Sequence, residues 1–174
     1  MKLLDQLSDV TYRDRAAEIV DRFVDECRCP ITRSQINGLR QIAIQQPLRV
    51  KAFADHQRQR AEKKHETASQ NAKATLESQI AFWKLVADLC ETNKLPWSPA
   101  TEVETQMPGE LREENIPTKA DCKSNEERGR RKQLKSSQKQ WLDAWNNQHL
   151  PEFFRRFCIH YLYRLGRQEH SNKE

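Results

Sequence analysis

Residues 29–60, CPITRSQINGLRQIAIQQPLRVKAFADHQRQR, decide how this chain folds. Thr32 stands three residues before Gln35, the spacing of a capping box: the hydroxyl accepts from the Gln35 N–H while the glutamine amide reaches back to the Thr32 N–H. Ile31 before the cap and Ile36 at the fourth helical position have the spacing of a hydrophobic staple, so a helix starts at Arg33. Ile36, Leu39 and Ala43 give it one buried stripe, with Arg33, Asn37, Arg40 and Gln41 elsewhere on its surface. Pro47 stops that helix near Gln46 and can open the next, because a first-turn proline forfeits no intrahelical hydrogen bond. Leu48, Val50, Phe53 and Ala54 anchor the second helix. Beyond them the run DHQRQRAEKKHET has Ala61 as its one apolar residue, so it is either solvated or lies against something charged.

Upstream, Leu3, Leu4 and Leu7 form one short helical turn, and Asp9 or Thr11 is positioned to cap the next helix. Ala16, Ile19, Val20, Phe23, Val24 and Cys27 then keep helical spacing, giving an amphipathic helix with a core face. Downstream, Ala68, Ala72, Leu76, Ile80, Trp83, Val86, Ala87 and Cys90 continue a stripe as far as Leu95. The absence of glycine and proline between Leu48 and Leu95 favours one very long helix over two with a break near residues 66–70.

Pro96, Pro99, Pro108 and Pro117, with Gly109, exclude a long helix through Lys123. Glu102, Glu104, Glu110, Glu113, Glu114 and Asp121 make this stretch acidic, and the expectation is a mobile, partly disordered loop. Helix resumes at Ser124, which forms a second capping box with Glu127. The core stripe returns with Trp141, Leu142 and Trp145. Pro151 opens a last helix that carries Phe153, Phe154, Phe157, Cys158, Tyr161, Leu162 and Leu165 on one face; Gly166 is placed to stop it, and the residues after Arg167 read as a frayed tail. No segment alternates with period two for long enough to make a strand. The fold class is all-α: a bundle of about five or six helices, with one long basic helix and an irregular acidic loop. It is organised as a single helical domain over 1–174, with helices in 1–95 and 124–167, the acidic loop in 96–123 and a tail in 168–174.

A low apolar fraction of 36%, a charged fraction of 32% and 4 glycines suit helices with large wet faces. The net charge of +5 makes an anionic partner plausible without requiring one. With no run of 18 apolar residues and no secretory apolar segment behind Met1, a cytoplasmic protein with no membrane contact is expected. Cys27, Cys29, Cys90, Cys122 and Cys158, odd in number and scattered, suit reduced thiols.

Catalysis finds little support. His56, His65, His149, His160 and His170 sit in no nucleophile, metal or phosphate-loop motif, and Cys158 and His160, two apart on a helix, diverge. The spacing of Cys27 and Cys29 is too tight for a zinc knuckle, so neither a metal nor a cofactor is expected. Nucleic-acid binding stands better. Arg49, Lys51, Arg58, Arg60, Lys63 and Lys64 form one basic strip; Arg128, Arg130, Arg131, Lys132, Lys135 and Lys139, with no carboxylate between them, form a second. Cations repeated along a rigid element hold phosphates with little regard to base sequence. The alternative is that these are solvated faces, with Glu62 and Glu66 pairing with Arg58 and Lys63.

The phrase PITRSQINGLRQIA resembles the helix start of small subunits of CRISPR-Cas effector complexes, and Thr32, Arg33, Gln35 and Ile36 are the positions that match. The far end, WLDAWNNQHLPEFFRRFCIHYLYRLG, together with the long middle helix, is similar to the C-terminal region of the type I-D large subunit. The resemblance implies a non-catalytic small subunit of a Cascade-like ribonucleoprotein complex for antiviral defence. Its expected partners are the crRNA-containing effector subunits, further copies of itself along the filament, and the backbone of target DNA or RNA. The acidic loop departs from the compact family pattern. Two rival readings stand beside it: a helical protein-interaction module, and a sequence-specific DNA-binding regulator.

Overall fold

The computed structural model describes residues 2–91 and 106–173. Among them are α1 (Lys2–Cys27), α2 (Arg33–Gln45), α3 (Val50–Glu66), α4 (Gln70–Leu89) and α5 (Asn125–Ser171), with single 3-10 turns at Pro47–Arg49, Gly109–Leu111 and Glu113–Asn115 and no strand. The chain is therefore an all-α bundle.

Both capping boxes form. Thr32 Oγ1 accepts from Gln35 N–H at 3.3 Å and Gln35 Oε1 from Thr32 N–H at 3.0 Å; Ser124 and Glu127 repeat the exchange at 3.1 Å each way. The stapling isoleucines, Ile31 and Ile36, are both buried. Pro47 opens a 3-10 turn that runs directly into α3, where its missing N–H costs nothing.

Four boundaries differ from the sequence reading. First, α1 is continuous from Lys2, with no new start at Asp9 or Thr11; no proline or glycine interrupts its ladder. Second, the stripe read as one long helix breaks at Thr67, after α3, and restarts behind Ser69. A single rod would leave the apolar side of α4 without a partner, whereas the hairpin lays it on α3 and buries Ala61. His65 Nε2 lies 3.2 Å from Glu77 Oε1 across that hairpin. Third, Pro151 lies inside α5 instead of opening a helix, and Gly166 does not stop it. Pro151 removes one backbone bond, to the carbonyl of exposed Asn147, while buried Leu150, Phe153 and Phe154 hold the helix on both sides. Fourth, the supposed tail is fastened: Cys29 N–H donates to Gln168 Oε1 at 3.0 Å, and Arg33 Nη2 meets Glu169 at 3.2 Å.

α5 organises the packing. Asp21 meets His160, Asp25 meets Arg164 and Cys29 meets Gln168, all at a sequence separation of 139, so α1 and α5 run parallel. On α2 the order reverses, with Arg33 against Glu169 and Arg40 near Cys158, so α2 lies antiparallel to α5. Phe82 of α4 sits at the meeting point: its ring is 5.5 Å from Phe23, 5.0 Å from Trp83, 6.0 Å from Phe157 and 5.3 Å from Tyr161, mostly edge to face. Tyr161, fully buried, takes Ile31 N–H at 2.8 Å and donates to Ile31 C=O at 3.1 Å, which ties the α1–α2 turn to α5 and satisfies both backbone groups. None of the five cysteines is paired. Burial pushes the Cys90 and Cys158 thiols up to about 12, so both stay protonated and act as small apolar residues.

Candidate nucleic-acid interface

At 47 residues α5 is about 70 Å long, and the core covers only its C-terminal part. The N-terminal part is covered on one side by residues 106–123. This segment, read from sequence as part of a mobile loop, is folded: Met107, Leu111, Ile116 and Cys122 are buried, apart from the main core. Residues 96–105 of the expected loop lie outside the described residues. Polar contacts fix the segment to the helix. Lys135 Nζ meets both Glu113 oxygens at 2.5 and 2.7 Å, Gln138 Nε2 donates to Leu111 C=O and Glu113 Oε2 at 3.0 Å each, and Arg131 Nε donates to Pro117 C=O at 2.9 Å. Hydrogen bonds from Lys135, then from Gln138, hold the Glu113 carboxyl below its usual range.

The second basic strip is thereby divided. Positions 128, 132, 135 and 139 are separated by four, three and four residues, so they share one stripe of α5 that rises about 16 Å. Arg128, Lys132 and Lys139 are exposed and make no ion pair with any described residue; Lys135, between them, is held by Glu113. Arg131 lies toward the 106–123 segment, and Arg130, exposed and without an ion pair among the described residues, borders a hollow that Asn115, Pro117, Asp121 and Cys122 of the same segment line.

The first strip separates similarly. Lys51 reaches Glu91 at 3.9 Å, and half-buried Arg58 lies between Asp55 at 3.5 Å and Glu62 at 3.7 Å. Arg60, Lys63 and Lys64 share the opposite flank of α3, exposed and without an ion pair among the described residues, as is Arg49 in the preceding turn. Glu62 thus pairs as read from sequence, while Lys63 takes no partner among the described residues. Sequence reasoning missed Glu113 and Gln138. Both were visible as polar residues, but no local pattern says that they meet each other and Lys135 across the turn that separates them.

Arg128 and Lys132, about 6 Å apart along the axis, and Lys139, about 10 Å further on, can meet phosphates along a strand without contacting bases. Among the described residues no three of His, Cys, Asp and Glu come together as metal ligands would, and no helix is long and apolar enough to cross a membrane. No protein-family model matches this chain, no curated protein matches it, and no solved structure matches it.

Proposed function

We propose that this chain is a non-catalytic helical subunit of an RNA-guided, Cascade-like complex in the cytoplasm, and that it holds nucleic-acid backbone on the N-terminal half of α5. The observation that carries the binding reading is the stripe Arg128, Lys132 and Lys139, exposed on a rigid helix and unneutralised among the described residues. The flank of α3 with Arg60, Lys63 and Lys64 supplies a second surface of the same kind. The assignment to a guided complex draws on the resemblance of residues 30–43 to small subunits of such complexes and of residues 141–166 to the C-terminal region of the type I-D large subunit. Exposed Ile44 (52%) and Leu48 (62%), at the corner between α2 and α3, give a neighbouring subunit apolar surface to cover.

Replacement of Arg128, Lys132 and Lys139 together by alanine tests the reading. Fluorescence anisotropy with single-stranded and duplex DNA and RNA of several sequences, over a salt series, should show weaker binding for all sequences alike. The salt slope should fall by about 0.7 for each single-strand phosphate that the variant no longer holds. Unchanged affinity and slope would reject the stripe as the interface. A stable complex with a protein partner, without any nucleic-acid affinity at low salt, would instead support the protein-interaction module.

A further inference from the structure

The far end of α5 carries a second polar surface of different character. An open groove of about 630 Å³ lies between the C-terminal ends of α1 and α5, within the range of about 300–1,000 Å³ typical of small-ligand sites. His160, Tyr163, Arg164 and Arg167 reach it from one stripe of α5, and Asp21, Val24 and Arg28 from α1 and the residue after it. Tyr163 keeps 56% of its surface exposed, in contrast to the fully buried Tyr161 two residues earlier. The Arg167 guanidinium lies over the Tyr163 ring, 5.9 Å from its centre, with Nη1 3.5 Å from the hydroxyl, and the His160 ring centre is 6.0 Å away, so a cation and an imidazole border a ring that is still more than half exposed.

The charges are distributed unevenly. Arg164 is committed to Asp21 at 2.6 Å and Asp25 at 2.8 Å, whereas neither Arg28 nor Arg167 meets a carboxylate among the described residues. Arg28 has φ 59°, the single positive-φ residue found among those described, at a helix end where glycine fits without steric penalty. A guanidinium is thus kept where the backbone favours a residue with no side chain. Arg164 carries one positive charge against the two carboxylates of Asp21 and Asp25, and the carbonyl ends of the two helices add about half a negative charge each, so the two uncommitted guanidinium groups about balance the negative charge around the groove.

An exposed ring flanked by cations in a nucleotide-sized groove is the arrangement that stacks a base and holds its phosphate. We propose that this groove binds one nucleotide of a single strand, with the base stacked on Tyr163 and the phosphate held by Arg28 and Arg167. It lies about 46 Å along α5 from Lys132, so it is separate from the cationic stripe. The choice of a strand over a free nucleotide rests on the proposed backbone-binding function; the recognition chemistry is common to both.

NMR titration of the full chain with AMP, adenosine, ribose 5-phosphate and a five-residue oligodeoxyadenylate tests this. AMP should shift the Tyr163 ring resonances, while adenosine and ribose 5-phosphate, each lacking one half of the ligand, should bind about fivefold more weakly or worse. Tyr163→Leu and the double variant Arg28→Gln/Arg167→Gln should each lose AMP binding by a similar factor; unchanged thermal unfolding midpoints would establish that the loss is local. Tighter binding of the oligonucleotide than of AMP supports the strand; equal or weaker binding overturns that part and assigns the groove to a free nucleotide. Absence of any shift at millimolar AMP, or binding of ribose 5-phosphate as tight as that of AMP, overturns the site. AMP binding that survives in the chain with Arg128, Lys132 and Lys139 replaced confirms its independence. If the stripe proves inactive toward oligonucleotides while AMP still binds, the backbone reading fails and the groove stands.

Discussion

Between Leu150 and Leu165 α5 sinks Leu150, Phe153, Phe154, Phe157, Cys158 and Tyr161 into the core, whereas between Arg128 and Lys139 the same helix leaves most of its side chains in water. Trp141, Trp145 and His149, with successive ring centres 5.3 and 4.2 Å apart, mark the passage from one regime to the other. The C-terminal half is held by apolar burial from α1, α2 and α4. The N-terminal half is held to residues 106–123 by that segment's few buried apolar side chains and by charge-assisted bonds. Continuity of one backbone therefore does not imply one energetic role: the buried half supplies stability and the projecting half presents charge. The two can be altered separately.

The largest expected effect breaks the comparison at its core end. Phe157→Ala should destabilise the chain by about 3–5 kcal/mol, because a fully buried ring in contact with Phe82, Phe153 and Phe154 leaves a cavity. Lys132→Ala, in the exposed half, should fall within about 0.5 kcal/mol of wild type. Urea unfolding of both variants measures the difference; similar losses would mean that the projecting half is as structurally committed as the core. Tyr161→Phe sharpens the same point with a single atom. It leaves the N–H and C=O of buried Ile31 unpaired, at an expected cost of about 2–4 kcal/mol. A loss below that range would show that water reaches the α1–α2 turn once the hydroxyl is gone.

The two halves were not equally legible in sequence. The capping boxes at Thr32 and Ser124 and the stripes of α1, α2 and the end of α5 could be read because each is a local pattern that the packed structure reinforces. Pro151 and Gly166 misled because a tertiary core beside each overrides its local preference. The reversal at Thr67 left no glycine or proline, since Ser69 in an extended conformation serves as the N-cap residue of α4. Most hidden were the partnerships. That Glu113 meets Lys135, and that Arg28 lines a groove with Arg167, depend on how distant elements dock, which periodicity does not encode.

The smallest effect probes the projecting half alone. If phosphate competes with Glu113 for Lys135, then Glu113→Gln should strengthen single-strand binding by about 2- to 5-fold, the range of one exposed ion pair, and steepen the salt slope by about 0.7. Glu114→Gln removes the same charge from an exposed neighbour with no ion pair among the described residues, and it should change affinity less. Equal gains from the two variants would reduce the effect to net charge. Acid pH acts on the same contact. The Glu113 carboxyl is held below its usual range when docked, so its contribution is full above the ordinary value of 4.5 and fades as pH falls through the lowered one. Residues 106–123 should then loosen from α5, and buried Cys122 should become reactive toward dipyridyl disulfide at pH values where the wild-type core is still folded. In Glu113→Gln that reactivity should already be raised at neutral pH and should respond less to acid. A Cys122 reactivity that stays low in the variant would place the hold on this segment in Met107, Leu111 and Ile116 rather than in the charge.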